Sequence, residues 1–290
     1  MSKVFYLIVS VWIGISIAQP VEAQKKKHSL LWEISGNGLS ESSYLYGTIH
    51  VICPDDFELG DHVKKAFAST KQLVMELDMT DPKEMSSIQQ LMISEEPVDY
   101  KGALTDAQYQ KLDKNLTKSM GAGMEFLKVM KPFAISSLLQ LTVMDCAQPA
   151  SYETTFMEMA NNQGVSTSGL ETAAFQMSIF DGIPLDEQMS WIIDFLDNEE
   201  QGKEDWKEML KLYKTQDVEA LGKSLNDYPE YKRYEDELLT KRNKRWIPQI
   251  EKLAKEKSVF VAVGAAHLGG KNGVIKLLKA AGYKVKPVTK

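Results

Sequence analysis

Two of the four histidines in this 290-residue chain sit in the same short context near opposite ends of it. Ser43-Tyr44-Leu45-Tyr46 runs into Gly47-Thr48-Ile49-His50, and Val259-Phe260-Val261-Ala262-Val263 runs into Gly264-Ala265-Ala266-His267. Each is an apolar, β-branched and aromatic run closed by Gly-x-x-His. A strand that ends at glycine and then presents an imidazole places it at the strand's C-terminal mouth, where open α/β sheets keep their ligand sites. If the two strands are neighbours, both imidazoles converge on one metal ion or one reacting group. One such motif alone is more often structural; its repetition is what favours a shared site.

Two carboxylates extend the pattern. Glu76 lies inside Leu73-Val74-Met75-Glu76-Leu77-Asp78, and an acid in an apolar strand is costly unless paired, metal-bound or at the solvent end. The simpler alternative is that Glu76 faces water. Glu171 follows Gly169-Leu170 after another strand-like run, again at a mouth. His50, His267, Glu76 and Glu171 form a donor set that suits Zn, Mn or Co, and mixed imidazole and carboxylate ligands do not choose among the three. Hydrolysis would further need an open coordination position and an acid acting as base. In a helix expected over 230–256, Leu239, Trp246, Ile250 and Leu253 trace an apolar stripe. Asn243 fills a gap in that stripe beside Arg242. Spacing alone favours satisfied core polar groups there.

Other signatures fail. Gly222-Lys223-Ser224 resembles the end of a phosphate loop, but residue 217 is Asp where glycine is required. No Gly-x-Ser-x-Gly elbow or His-Glu-x-x-His exists. His28, in an expected disordered start, and His62, on an expected surface helix, receive no function.

The elements that must position these residues are strands at 30–35, 43–49, 72–78, 164–170, 259–263 and 283–288, the first two forming a hairpin across Gly36-Asn37-Gly38. Helices fill the spans between the third and fifth strands. One begins at Asp81-Pro82, one at Thr105 and one at Lys131-Pro132, and the last runs from Gly270 to Ala281. The final strand–helix–strand stretch reads as a crossover between parallel strands. The expected architecture is α/β, with a small central sheet built from both chain ends and a large helical insertion.

Residues 1–23 read as a cleaved signal peptide: Lys3, an uncharged apolar stretch, then Val21-Glu22-Ala23 at a cut after Ala23. Residues 24–290 are then a single domain, periplasmic or secreted, without stable membrane insertion. With 43% hydrophobic residues the chain has ample material for a core, and its net charge of −6 argues against nucleic acid as a partner. Lys25-Lys26-Lys27 is expected to be a solvated tail. Cys53 and Cys146 are the only cysteines. In an exported chain they form a disulfide or remain two buried thiols.

Taken together, Tyr46-Gly47-Thr48-Ile49-His50-Val51, Met75-Glu76-Leu77-Asp78, Gly169-Leu170-Glu171-Thr172, Lys241-Arg242-Asn243 with Trp246, and Val261-Ala262-Val263-Gly264-Ala265-Ala266-His267-Leu268 resemble the TraB/GumN family, related to the TIKI metalloproteases. The likeness runs over nearly all of residues 30–288. It implies an α/β fold of the erythromycin-esterase and ChaN kind and a metal-dependent peptidase activity on a peptide or protein substrate. It also implies His50 and His267 as the paired histidines, Glu76 as the essential acid, and Arg242 and Asn243 as supporting residues. Glu171 matches a recurrent family position, and Ala266 stands where glycine is frequent. The ChaN likeness keeps open a non-catalytic protein binding a metal, haem or surface ligand, and the GumN name a role in surface polysaccharide.

Overall fold

The computed structural model describes residues 28–290, so the signal segment, the cut after Ala23 and Lys25-Lys26-Lys27 lie outside the described residues. Among the described residues six strands form one sheet: β1 (Leu31–Ser35), β2 (Ser43–Thr48), β3 (Gln72–Met75), β4 (Ser166–Gly169), β5 (Val259–Gly264) and β6 (Lys284–Pro287). Their order is β4-β3-β5-β2-β1-β6. β4, β3, β5 and β2 are parallel, and β1 runs antiparallel between β2 and β6. The sheet is thus assembled from both ends of the chain, with helices inserted before and after β4.

β5 sits at the centre, and all six of its residues are buried. A continuous Val-Phe-Val-Ala-Val run is what a parallel strand covered on both faces requires. Phe260, Tyr46, Phe67 and Phe156 pack together on the sheet, with ring centroids 4.9–6.2 Å apart. The inserted helices Asp106–Met120, Pro132–Gln140 and Leu185–Asp197 bury a second cluster, built around Leu112, Leu116, Ile135, Met189 and Ile192. No helix among the described residues is long and apolar enough to cross a membrane.

Three details depart from the sequence reading. β3 ends at Met75 rather than running on to residue 78, because the Glu76 carboxylate turns to accept the Gly264 N–H and Asp78 folds back onto the Thr80 N–H and hydroxyl. The helix expected over 230–256 is Pro229–Glu235 and Lys241–Glu256 joined by a wide π-helical turn, Asp236–Thr240. The last helix starts at Val274, not Gly270, since Gly270 has φ +81° and breaks the helical path. That crossover does link parallel strands, but it spans β2 and β1 to reach the far edge.

His28, expected in a disordered start, has its Nδ1 3.2 Å from Asp217 Oδ2. Cys53 and Cys146 form a disulfide, Cα atoms 5.7 Å apart. Beside it, Ile52 and Ala150 exchange backbone hydrogen bonds of 3.0 and 2.7 Å. The loop after His50 is therefore tied to the start of the helix Tyr152–Gln163.

Candidate functional site

Register brings the predicted residues to one edge. Thr48 pairs with Gly264, and Met75 with both Ala262 and Gly169, so β2 and β5 end together while β3 and β4 stop two residues short of them at the same edge. Glu171 follows β4, Glu76 follows β3, His267 follows β5 and His50 follows β2. The mouth lies outside the carboxyl ends of the strands, as open α/β sheets place it.

The two motif glycines stand in different surroundings. A Cβ on Gly47 would come within 3.0 Å of Ala265 Cα and Cβ, so the first motif must be bare for the second to pack on it. A Cβ on Gly264 would instead stand 3.4 Å from Glu76 Oε1, 3.7 Å from His50 Nε2 and 3.6 Å from His267 Cδ2. Gly264 is the floor of the space these three side chains surround. Ala266 lies in the tight turn Ala265–His267 and is not among the described residues with positive φ, so glycine is not required there.

His267 is held from below. The Asn243 amide donates to the Asn272 carbonyl at 3.0 Å and the His267 carbonyl at 3.3 Å, which leaves Asn243 Oδ1 as an acceptor. His267 Nδ1 lies 2.6 Å from that oxygen and must donate. The lone pair is therefore on Nε2, which faces Glu76 Oε1 at 3.8 Å and Arg242 Nη1 at 3.4 Å. Burial, with the charges of Arg242 and His50, pushes this imidazole down to about 3, so it is neutral.

His50 is held from the side. Its Nδ1 donates to Glu153 Oε1 at 2.9 Å, and the same carboxylate accepts from Thr48 Oγ1 at 2.6 Å and Ser151 Oγ at 2.9 Å. Nε2 is left toward the shared space. The hydrogen bond to Glu153 raises His50 to about 9 against the opposing effect of desolvation. Its side chain is 66% exposed, so solvent screens part of that pairing. Burial raises Glu153, but the bond and charge of His50 and the bond from Thr48 outweigh it, and the carboxyl is lowered overall.

Arg242 joins the two acids. Its Nη2 is 2.6 Å from Glu76 Oε2 and 2.8 Å from Glu171 Oε2, and its Nε reaches both Glu171 oxygens at 3.0 and 3.2 Å. Nη1 donates to the Leu238 carbonyl in the π-helical turn, a distortion that often marks functional sites. Glu171 thus spends both oxygens on Arg242. Burial alone would raise the Glu76 carboxyl; the positive charges of Arg242 and His50 and the Gly264 N–H oppose it, and the group is held well below its ordinary range.

All six predicted residues meet at this mouth, but not in equivalent positions. His50, Glu76 and His267 face the common space, Arg242 lines it from one side, and Asn243 and Glu171 stand behind. The donors suit a borderline divalent ion: two imidazoles whose Nδ1 atoms already have partners, and one carboxylate. As arranged, no group of three or more His, Cys, Asp or Glu side chains among the described residues is close enough to hold a metal. Glu153 and Gln176 were not anticipated. Gln176 Nε2 donates to Glu171 at 3.1 Å and Glu76 at 3.3 Å. Both residues sit near ordinary helix starts capped by Ser151 and Thr172, so only the fold reveals their targets.

The zebrafish (Danio rerio) protein "Metalloprotease TIKI2" is 21% identical over 91% of this chain, which spans 61% of that protein's length. No solved structure matches. The model of the TraB/PrgY/gumN family matches residues 30–287, which include every residue of the mouth, and the chain belongs to that family.

Proposed function

We propose that the protein is an exported, metal-dependent hydrolase that cleaves peptide bonds, with His50, Glu76 and His267 as the residues that would hold a divalent Mn, Co or Zn ion. The observation that carries this reading is the space above Gly264, ringed by Glu76 Oε1, His50 Nε2 and the His267 ring, with each imidazole fixed through its other nitrogen. When bound, such an ion polarises a carbonyl and makes water a nucleophile near neutral pH.

The chain's own groups supply the rest. Asn243 and Glu153 fix which nitrogen of each imidazole faces inward. Glu76 serves as ligand or as the base that takes the proton from water; either role needs the carboxylate, and Glu76→Gln removes both. Glu171 spends both oxygens on Arg242, and the Gln176 amide nitrogen spends its two hydrogens on Glu171 and Glu76. Arg242 puts positive charge beside the space, and the Nη1 N–H that faces His267 Nε2 at 3.4 Å is its one donor without a carboxylate or carbonyl partner. Export accords with the disulfide, which persists in oxidising compartments. The likeness to a protein called a metalloprotease supports the reaction class.

The test is the Mn, Co and Zn affinity of residues 24–290 beside folded His50→Ala and His267→Ala variants, followed by cleavage of a peptide library. Metal bound by the parent protein and lost in both variants is the expected result. Equal binding by all three, or cleavage that survives in His50→Ala, overturns the reading.

A further inference from the structure

The mouth opens on two cavities, and its functional side chains are divided between them. The larger, about 610 Å³, is reached past Arg242, Gly264 and His267 and has Phe133, Phe180, Trp191 and Trp206 in its walls. The smaller, about 390 Å³, is lined by Glu76, Glu153 and Gln176 and by Met75, Met79, Met92 and Met177. His50 and Phe133 line both, so they form the waist between two lobes. Phe133 is fixed there by Phe180, whose ring centroid lies 4.0 Å away.

This division limits what can bind. Both volumes fall within the range of small-ligand pockets, which are largely apolar with a few placed polar groups. Among the described residues, and apart from His50 and His267, Arg242 is the one charged side chain lining the larger lobe, and it belongs to the mouth. A charged group pushed deeper would lose water without gaining a partner. Rigid aromatic walls suit a large flat or branched side chain, and a methionine wall reshapes around apolar groups of varied form. A polar bond held at the waist must send its two flanking substituents to opposite lobes. A polar centre between two apolar arms describes a peptide bond between two apolar residues.

We infer that the two cavities are subsites on either side of the reacting bond, and that the substrate is an extended peptide with a large apolar residue, aromatic by preference, in the larger lobe and a second apolar residue in the smaller one. This rests on the peptidase reading for the word substrate, but not for binding.

The experiment therefore separates binding from turnover. Trp191 and Trp206 report occupancy of the larger lobe through their emission, with the Trp191→Phe and Trp206→Phe variants assigning the signal. Four blocked peptides carrying Phe-Leu, Phe-Asp, Asp-Leu and Asp-Asp at the centre are titrated into Glu76→Gln protein and into chelator-treated parent protein. Either form alone suffices if the other does not fold. Saturable change with Phe-Leu, weakened about tenfold or more by Asp at either position, is expected. Ser136→Phe, which fills the larger lobe, should abolish the preference for Phe and leave that for Leu. Ser224→Phe is the substitute if it misfolds, and Met79→Trp is the counterpart in the smaller lobe. Equal response to all four peptides, no response to any, or a response confined to haem or fatty acid overturns the inference. If apolar peptides bind selectively but are never cleaved with Mn, Co or Zn, the subsites stand and the peptidase reading falls. If peptides are cleaved without apolar preference, the reverse holds.

Discussion

The two Gly-x-x-His arms share a pattern and occupy opposite environments. His267 follows the central strand β5, is 5% exposed, and lies under the Trp246 ring at a centroid distance of 4.4 Å. Its partners are a neutral amide and a guanidinium. His50 follows β2, stands two-thirds in solvent, and is oriented by a carboxylate on a helix that a disulfide draws close. The tetrapeptide fixes where an imidazole leaves the sheet. Whether that imidazole is neutral and buried or exposed and paired with an anion depends on what packs beyond the strand. One arm is part of the core; the other is fastened to it.

The comparison is most severely tested at Arg242. Its side chain is 10% exposed, between Glu76 at 13% and Glu171 at 2%. Arg242→Ala would leave two facing carboxylates buried without their counter-charge, and should destabilise the protein by about 3–5 kcal/mol. Urea unfolding measures this directly. A loss under about 1 kcal/mol would show that the pairing is too weak to integrate the β5 arm into the core. On the other arm, Cys53→Ser with Cys146→Ser opens a link between residues 93 apart and should lose about 2–4 kcal/mol. The same double variant should weaken metal binding, because Glu153 begins the helix that the disulfide holds. Intact metal affinity with lowered stability would separate that fastening from the site.

Which parts of this were legible in sequence follows from range. The ends of β2 and β5 were legible because apolar runs closed by glycine are local, and so were the helix starts at Asp81 and Thr105, whose side chains accept hydrogen bonds from nearby backbone N–H groups. The pairing of β2 with β5 was an inference from repetition, and the register bears it out. Glu153 was not legible: an acid two residues after a capping serine is the commonest complement to a helix dipole, and nothing local says that it reaches His50. Glu171 was legible as an acid at a strand mouth but not as the clamp of Arg242, because that bond depends on a π-helical turn that no local pattern announced. The early end of β3 has the same origin. The Glu76 carboxylate accepts from the Gly264 N–H, a partner supplied by the far end of the chain.

A smaller effect is expected at Asn243. Asn243→Ala removes the acceptor of His267 Nδ1–H and the donor to the Asn272 carbonyl, groups that are buried or nearly so. About 1–3 kcal/mol of stability should be lost. His267 would then be free to exchange tautomers, which NMR of the imidazole nitrogens would report as loss of a single Nδ1–H form. A spectrum unchanged from the parent protein would mean that Arg242, not Asn243, selects the tautomer.

The smallest structural effect, and the sharpest test of the contrast, belongs to Glu153→Gln. Glutamine keeps the shape and one oxygen for Thr48 or Ser151, so stability should change by less than about 1 kcal/mol. What it removes is the anion that orients His50 Nδ1–H. Loss of such a partner behind a ligating imidazole typically lowers metal affinity about 10–100-fold. Calorimetric titration with Zn or Mn, run beside urea unfolding of the same samples, yields both quantities. A fastened arm predicts that they part company, with affinity falling while stability holds. If both fall together, the His50 arm is as much a part of the core as its twin. If neither moves, Glu153 holds the loop in place without acting on the histidine.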